Sequence, residues 1–256
     1  MIYSMKDALL KDKNIVIRLD LNVPVQDGKV TDTTRIDCVK PTIDALREAG
    51  ASKITILSHF GRPKGEEKPE FSLGFLPPVL SRCWGVDVGF GADSAEKITS
   101  LENLRFNPGE EKNDPDFAKE LAAHGDIYIN DAFSVSHRAH ASVEAITKLL
   151  PSYAGLNLHK EIDALEKALS TPKKPVAAII GGAKVSSKLS LIKNLLPKMD
   201  MIVLGGGMAN TFFLAEGHDV GKSLAEADMT EEAKSILAEA KAKNCEIILP
   251  IDGLMA

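Results

Sequence analysis

The sequence predicts an α/β fold of doubly wound parallel sheets arranged as two domains, the second incomplete, and three observations carry that expectation. Short β-branched runs alternate with helical patterns along all 256 residues. The stretch Ser170-Thr171-Pro172-Lys173-Lys174-Pro175, basic and bounded by prolines, interrupts that rhythm before it restarts, which marks a domain boundary. After the restart only three strand-like runs precede Ala256.

Each element follows from its local pattern. Asn14-Ile15-Val16-Ile17 is a buried strand, and Pro24 is expected to end its pairing because it has no backbone donor. Gln26-Asp27-Gly28-Lys29 reads as a turn. A helix is expected from Asp37 to Ala49, with Ile36, Val39, Ile43 and Leu46 on one face, Pro41 in its opening turns and Gly50 as its stop. The next strand, Lys53 to Leu57, delivers Ser58-His59-Phe60-Gly61-Arg62-Pro63. A helix from Leu76 to Trp84 follows, then a short strand over Val86 to Gly89. The apolar run before Leu101 is too short to read as a strand. Asp114-Pro115 opens a helix to Ala123, Ile127 to Asn130 is a strand, and Leu158 to Leu169 is an amphipathic helix. Past the boundary come strands at Val176 to Ile180, Met201 to Leu204 and Glu246 to Leu249, with a helix from Thr230 to Lys243. Glycine turns over Gly181 to Lys188 and Gly205 to Thr211 each lead into a helix.

Composition narrows the function. A hydrophobic share of 44% with 26% charged residues is that of an ordinary globular protein, and 256 residues is long for one domain. A net charge of −5 excludes a general nucleic-acid binder, so any arginine cluster serves a small anion. Cys38, Cys83 and Cys245 lie far apart without a Cys-x-x-Cys pair, which argues against a disulfide framework or zinc site. The early residues are charged (Lys6, Asp7, Lys11, Asp12, Lys13), and no apolar run reaches bilayer length, so a cytoplasmic location is expected.

Two constellations carry chemistry. Asp20 and Asn22 stand two residues apart after the first strand, where open parallel sheets bind ligands. Arg35, His59, Arg62, Arg105 and Arg138 also follow or flank strand ends, and the guanidinium fork matches carboxylate and phosphate oxygens. The alternative is a set of scattered surface arginines beside a solvated turn. The second constellation is the pair of glycine turns, whose backbone N–H groups at helix starts suit phosphate, with Lys184 and Lys188 adding charge at the first. Tight strand-to-helix packing is the competing reading. Gly217-His218-Asp219-Val220-Gly221-Lys222-Ser223 is one residue short of a Walker loop and follows a helix, so it is a decoy. No Gly-x-Gly-x-x-Gly follows a strand, which weighs against a nicotinamide dehydrogenase.

In combination these segments resemble a known family. Arg18 to Pro24, Ser58 to Pro63, Leu101 to Phe106, His137 to His140, Gly181 to Lys188 and Gly205 to Thr211 resemble, in order and spacing, the successive signature segments of phosphoglycerate kinase. Ala209 to Phe212 through Gly217 to Leu224 is similar to bacterial members. The resemblance implies two Rossmann-like domains that close over the reactants: residues 1–157 binding 3-phosphoglycerate, a hinge helix over 158–172, and a partial nucleotide-binding domain over 173–256. It implies that Asp20, Leu21, Asn22, Arg35, His59, Phe60, Gly61, Arg62, Arg105 and Arg138 form the 3-phosphoglycerate site. Gly182, Ala183, Lys184, Lys188, Gly206 and Gly207 would bind nucleotide, with Arg35 and Lys184 acting on the phosphoryl group in flight. The implied reaction moves a phosphoryl group between 1,3-bisphosphoglycerate and ADP, giving 3-phosphoglycerate and ATP, in a cytoplasmic monomer with no nucleic-acid or membrane partner. Mg2+ would arrive with ADP or ATP, because the family's magnesium-binding aspartate and later acidic nucleotide contact would lie beyond Ala256. On that ground an alternative expectation is a truncated chain that binds 3-phosphoglycerate without kinase activity. The sequence departs from the family at Phe60 (usually leucine), at Ser134-Val135-Ser136 (commonly Gly-Thr-Ala) and at Ser187 (often aspartate).

Overall fold

The computed structural model describes residues 2–170 and 172–252. Thr171 of the expected hinge and residues 253–256 of the expected second domain lie outside the described residues. The chain divides into two units, Met1–Asp163 and Ala164–Ala256, with the division inside a long helix.

In chain order the first unit contains β1 (Asn14–Arg18), β2 (Val25–Gln26), β3 (Lys29–Val30), α1 (Thr34–Glu48), β4 (Lys53–Leu57), α2 (Leu76–Trp84), β5 (Val88–Phe90), β6 (Ile98–Ser100), α3 (Pro115–Ala122), β7 (Ile127–Asn130) and β8 (Ser152–Ala154). The helix α4 (Leu156–Ser170) starts in this unit and crosses the division. Six strands form one sheet in the order β5-β6-β4-β1-β7-β8, and every pairing is parallel. From β1 the chain winds outward through β4 to β5 and β6, then returns to add β7 and β8 on the other side. The winding direction thus reverses between β1 and β7, and such switch points open a crevice at the carboxyl ends.

Parallel strands need cover on both faces, and β1 has it. Ile15 and Ile17 pack with Ile36, Ile43 and Leu46 of α1, while Val16 packs with Tyr128 and Leu121 on the opposite face. α2 adds Leu76, Leu80 and Trp84 to the first of these cores. Its two N-terminal prolines sit where no intrahelical donor is lost, and Gly85, at φ 69°, ends it in the left-handed region.

Three expectations are corrected here. α1 begins at Thr34, not Asp37, because Asp32 accepts the Thr34 amide at 2.8 Å and the Thr33 hydroxyl donates to Asp37 at 2.8 Å. Pro41 therefore lies inside the helix, where its missing N–H frees the carbonyl of the exposed Asp37. Second, the run before Leu101 is a strand after all: β6 is short, but β4 and β5 flank it and bury all three residues. Third, the pairing of β1 ends at Arg18, before Pro24, and a separate ribbon begins just after that proline. β2 and β3 form an antiparallel ribbon over a two-residue turn, with Asp27 and Gly28 both at positive φ.

The second unit contains β9 (Ala177–Gly181), α5 (Leu189–Leu195), β10 (Met201–Gly205), α6 (Gly207–Ala215), α7 (Thr230–Ala242) and β11 (Glu246–Ile248). Its parallel sheet has the order β11-β10-β9. Ile180, Ile202 and Leu204 pack with Met208 and Phe212 of α6 and Ile236 of α7. No helix among the described residues is long and apolar enough to cross a membrane.

Candidate functional site

The carboxyl ends of the first sheet frame a cleft of about 300 Å³ lined by Asp20, Asn22, Arg35, His59, Gly61, Arg62, Arg105, Glu111, Ser134, Val135 and Arg138. They come from successive turns of the winding. Asp20 and Asn22 follow β1, Arg35 opens α1, His59 to Arg62 follow β4, Arg105 follows β6, and Ser134 to Arg138 follow β7. Asp20 spans the switch point. It pairs with the Arg35 guanidinium from the β1 side and accepts a 2.5 Å hydrogen bond from Ser134 on the β7 side. Burial alone would raise the Asp20 pKa, but the Ser134 and Asn22 hydrogen bonds and the Arg35 charge outweigh it and hold it below the usual range.

The loop bearing Arg62 is stapled in place by side-chain amides. Asn22 accepts the Gly61 amide at 3.0 Å, and Asn103 both accepts from Phe60 N–H at 3.2 Å and donates to its carbonyl at 2.7 Å. Arg105 donates to the Gly61 carbonyl at 2.8 Å and pairs with Glu111 at 3.1 Å. Gly61 sits at φ 58°, and a Cβ there would meet the Phe71 ring at 2.5 Å, so both conformation and space require glycine. Arg62 and Arg138 have no acidic partner among the described residues. Four guanidinium groups therefore face two carboxylates, leaving two positive charges uncompensated.

Beneath the cleft lies a buried polar network that sequence reasoning missed. Arg18, 1% exposed, donates to Ser142 Oγ at 3.1 Å and approaches His59 Nδ1 at 2.9 Å. Ser142 in turn donates to the fully buried Glu110 carboxylate at 2.6 Å (hydroxyl) and 3.0 Å (amide). The Tyr128 hydroxyl donates to the Ser142 carbonyl at 2.6 Å, and His140 stands 3.7 Å from Glu110. Burial would raise the Glu110 pKa, but His140, Arg18 and Ser142 hold it below the usual range. Burial, assisted by the Arg18 and Arg105 charges, pushes His59 down to about 3, so the imidazole is neutral.

The geometry brings together Asp20, Asn22, Arg35, His59, Gly61, Arg62, Arg105 and Arg138. It does not bring Leu21 and Phe60 into the cleft. The Leu21 side chain is fully buried in the core, and the Phe60 ring packs edge-on against Phe75 at 5.2 Å. Glu111, Ser134 and Val135 line the cleft unforeseen. Ser134 was visible as a departure within its motif, whereas nothing local distinguished Glu111.

The glycine turns of the second unit converge in a different way. β9 and β10 end side by side, and Gly206 at φ 69° packs so closely that a Cβ would meet the Gly182 carbonyl at 2.9 Å. Met208 N–H donates to that carbonyl at 2.9 Å, so Gly182, Ala183, Gly206 and Gly207 form one backbone cluster. Lys184 and Lys188 do not both sit at a helix start as expected. α5 begins at Leu189 and spans seven residues; Lys188 is its N-cap, and Lys184 lies exposed in the preceding loop. Glu226 clamps that loop by accepting from the Ser186 amide at 2.9 Å and its hydroxyl at 2.6 Å. Among the described residues no three His, Cys, Asp or Glu side chains converge as a metal site.

The family profile described as "Phosphoglycerate kinase" matches residues 5–256. The chain belongs to the phosphoglycerate kinase family. Among similar curated relatives, the phosphoglycerate kinase of Methylorubrum extorquens (strain PA1) is 55% identical over 96% of this chain, and that of Sinorhizobium fredii is 54% identical over 95%. The chain spans 65% and 64% of the length of those two relatives. The solved phosphoglycerate kinase of Coxiella burnetii superimposes with a TM-score of 0.86 at 40% identity, covering 98% of this chain and 66% of that one. The Pyrococcus horikoshii enzyme superimposes at 0.82 with 30% identity, covering 98% and 67%. The α/β fold with its two parallel sheets is that of the family.

Proposed function

We propose that the protein transfers a phosphoryl group reversibly between 1,3-bisphosphoglycerate and Mg-ADP, giving 3-phosphoglycerate and Mg-ATP. One observation carries the reading: the two uncompensated positive charges of the arginine cleft equal the charge of a phosphate group, in a chain of this family. Arg62, Arg105 and Arg138 bind the phosphate and carboxylate of 3-phosphoglycerate, and His59 and Asn22 orient it. Arg35 neutralises the phosphoryl oxygens on the glycerate side. Lys184 does so on the nucleotide side, with Lys188 and the Gly182, Ala183, Gly206 and Gly207 backbone holding the nucleotide phosphates. No covalent nucleophile is needed, because such transfers rest on positioning and charge neutralisation. Mg2+ would be carried in by the nucleotide substrate.

On this reading residues 1–157 bind the glycerate, residues 158–172 are the hinge, drawn mainly from α4, and residues 173–256 contribute to nucleotide binding. The setting is a cytoplasmic monomer. The test is ADP formation from Mg-ATP in the presence and absence of 3-phosphoglycerate. Transfer that needs 3-phosphoglycerate and collapses in Lys184→Ala supports the reading. Tight 3-phosphoglycerate binding without transfer would favour the alternative of a binding protein.

A further inference from the structure

Arg18 is the buried charge that the transfer reaction leaves without a task. Its guanidinium is sealed at the end of β1, where it donates to Ser142 Oγ, to the Leu19 and Leu57 carbonyls, and toward His59 Nδ1 at 2.9 Å. A guanidinium carries only donors and keeps its proton in proteins. The Nδ1 atom facing it must therefore be an acceptor, which leaves the single imidazole hydrogen on Nε2. A doubly protonated ring would set N–H against N–H and two positive charges 2.9 Å apart. No protein group pairs with His59 Nε2 among the described residues. Nor is this nitrogen sealed off, because among the described residues the one buried side-chain nitrogen or oxygen without a partner is Nδ1 of His159, on α4 and outside the cleft. His59 lines the cleft, so Nε2 is the nitrogen left to a ligand.

The surroundings of His59 agree. Arg18 of β1 and Arg105 beyond β6 disfavour a charged ring. Asp20 and Glu110 act in the opposite sense, but Asp20 is engaged by Arg35 and Ser134, and Glu110 by Ser142. Arg35, Arg62 and Arg138 complete the charged lining, and His140 lies beyond Glu110.

We propose that Arg18 is a positioning residue that locks His59 as a neutral Nε2–H donor, so that His59 does not make the cleft's hold on a phosphorylated hydroxy acid depend on pH. The substrate class rests on the function proposed above; the tautomer does not. Long-range 1H–15N correlation spectra of the ligand-free, histidine-labelled protein read the tautomer directly. The expected result is hydrogen on Nε2 with no titration between about pH 8 and about pH 5. Hydrogen on Nδ1, or a ring that titrates in that range, overturns the proposal.

Arg18→Lys keeps the charge but cannot hold Ser142, the carbonyls and His59 at once. It should give mixed tautomers and a 3-phosphoglycerate affinity that changes several-fold across the same pH range. Ser142→Ala, which removes the Nε partner, should shift the tautomer in the same direction and serves if Arg18→Lys does not fold. An unchanged tautomer in both variants overturns the role of Arg18. Failure of 3-phosphoglycerate to bind would instead remove the substrate assignment and leave the spectral result to decide the tautomer.

Discussion

The two units hold their candidate phosphate-binding groups by different means. In the first, the candidates are side chains that a buried network fixes: Arg18, Glu110 and Ser142 lie under His59, while Asp20 and Glu111 hold Arg35 and Arg105. In the second, the backbone of two glycine turns makes the cradle, and the lysines stand on a loop tied by the Glu226 clamp near the surface. Side-chain charge needs an enclosing scaffold because a guanidinium misplaced by an ångström loses its bidentate match. A backbone cradle needs only close approach, which glycine gives. The first arrangement ought to be costly to disturb and sensitive to acid; the second ought to be cheap to disturb.

The largest effect should come from Glu110→Ala. It removes the carboxylate that most offsets the buried Arg18 charge, and the cost should be about 3–5 kcal/mol of unfolding free energy. Urea titration measures it, and a loss under about 1 kcal/mol would mean the network does not stabilise the first unit.

Next come the cleft arginines. Arg35→Ala or Arg138→Ala should weaken 3-phosphoglycerate binding by about 1.5–3 kcal/mol with unchanged far-UV circular dichroism. Wild-type calorimetric affinity in both would remove them from the site.

Acid should expose the same asymmetry. The unfolded His59 takes up a proton near its ordinary pKa of about 6.5, while the folded ring stays neutral down to about 3. The unfolded state thus binds more protons in that window, so stability falls as pH falls, by about 2 kcal/mol at pH 5. Asp20 and Glu110, both held low, add to the loss further into acid, whereas Asp131, raised by burial, has the opposite sign. Urea midpoints of the first unit that do not change between pH 7 and pH 5 would contradict the neutral buried ring.

The smallest effect belongs to Glu226→Ala. Loss of its hydrogen bonds to Ser186 should cost about 1 kcal/mol or less and raise amide exchange at Ser186 without touching the six-stranded unit. A large stability loss would show that the clamp fixes far more than a loop.

Strands and helices with strong periodicity were legible in the sequence, β4, α2 and β7 to the residue. Their ends placed the arginines at one sheet edge because parallel winding sends every carboxyl end the same way. What was not legible depended on partners distant in sequence. β6 is a strand because its neighbours make it one, and Pro41 is interior because Asp32 and Thr33 start the helix early. Glu110 and Ser142 lie in unremarkable stretches, and only the tertiary fold brings them beneath Arg18. A glycine turn hides where its helix begins, and the loop that holds Lys184 continues to Lys188.

The central claim is that the cleft at the β1–β7 switch point binds the phosphate of 3-phosphoglycerate through its uncompensated arginines. Calorimetric titration of the protein with 3-phosphoglycerate, set beside glycerate, tests it most directly. One saturable site for 3-phosphoglycerate that weakens with added salt, and no measurable heat with glycerate, is the predicted result. Equal binding of both compounds, or none of either by a folded chain, would contradict it.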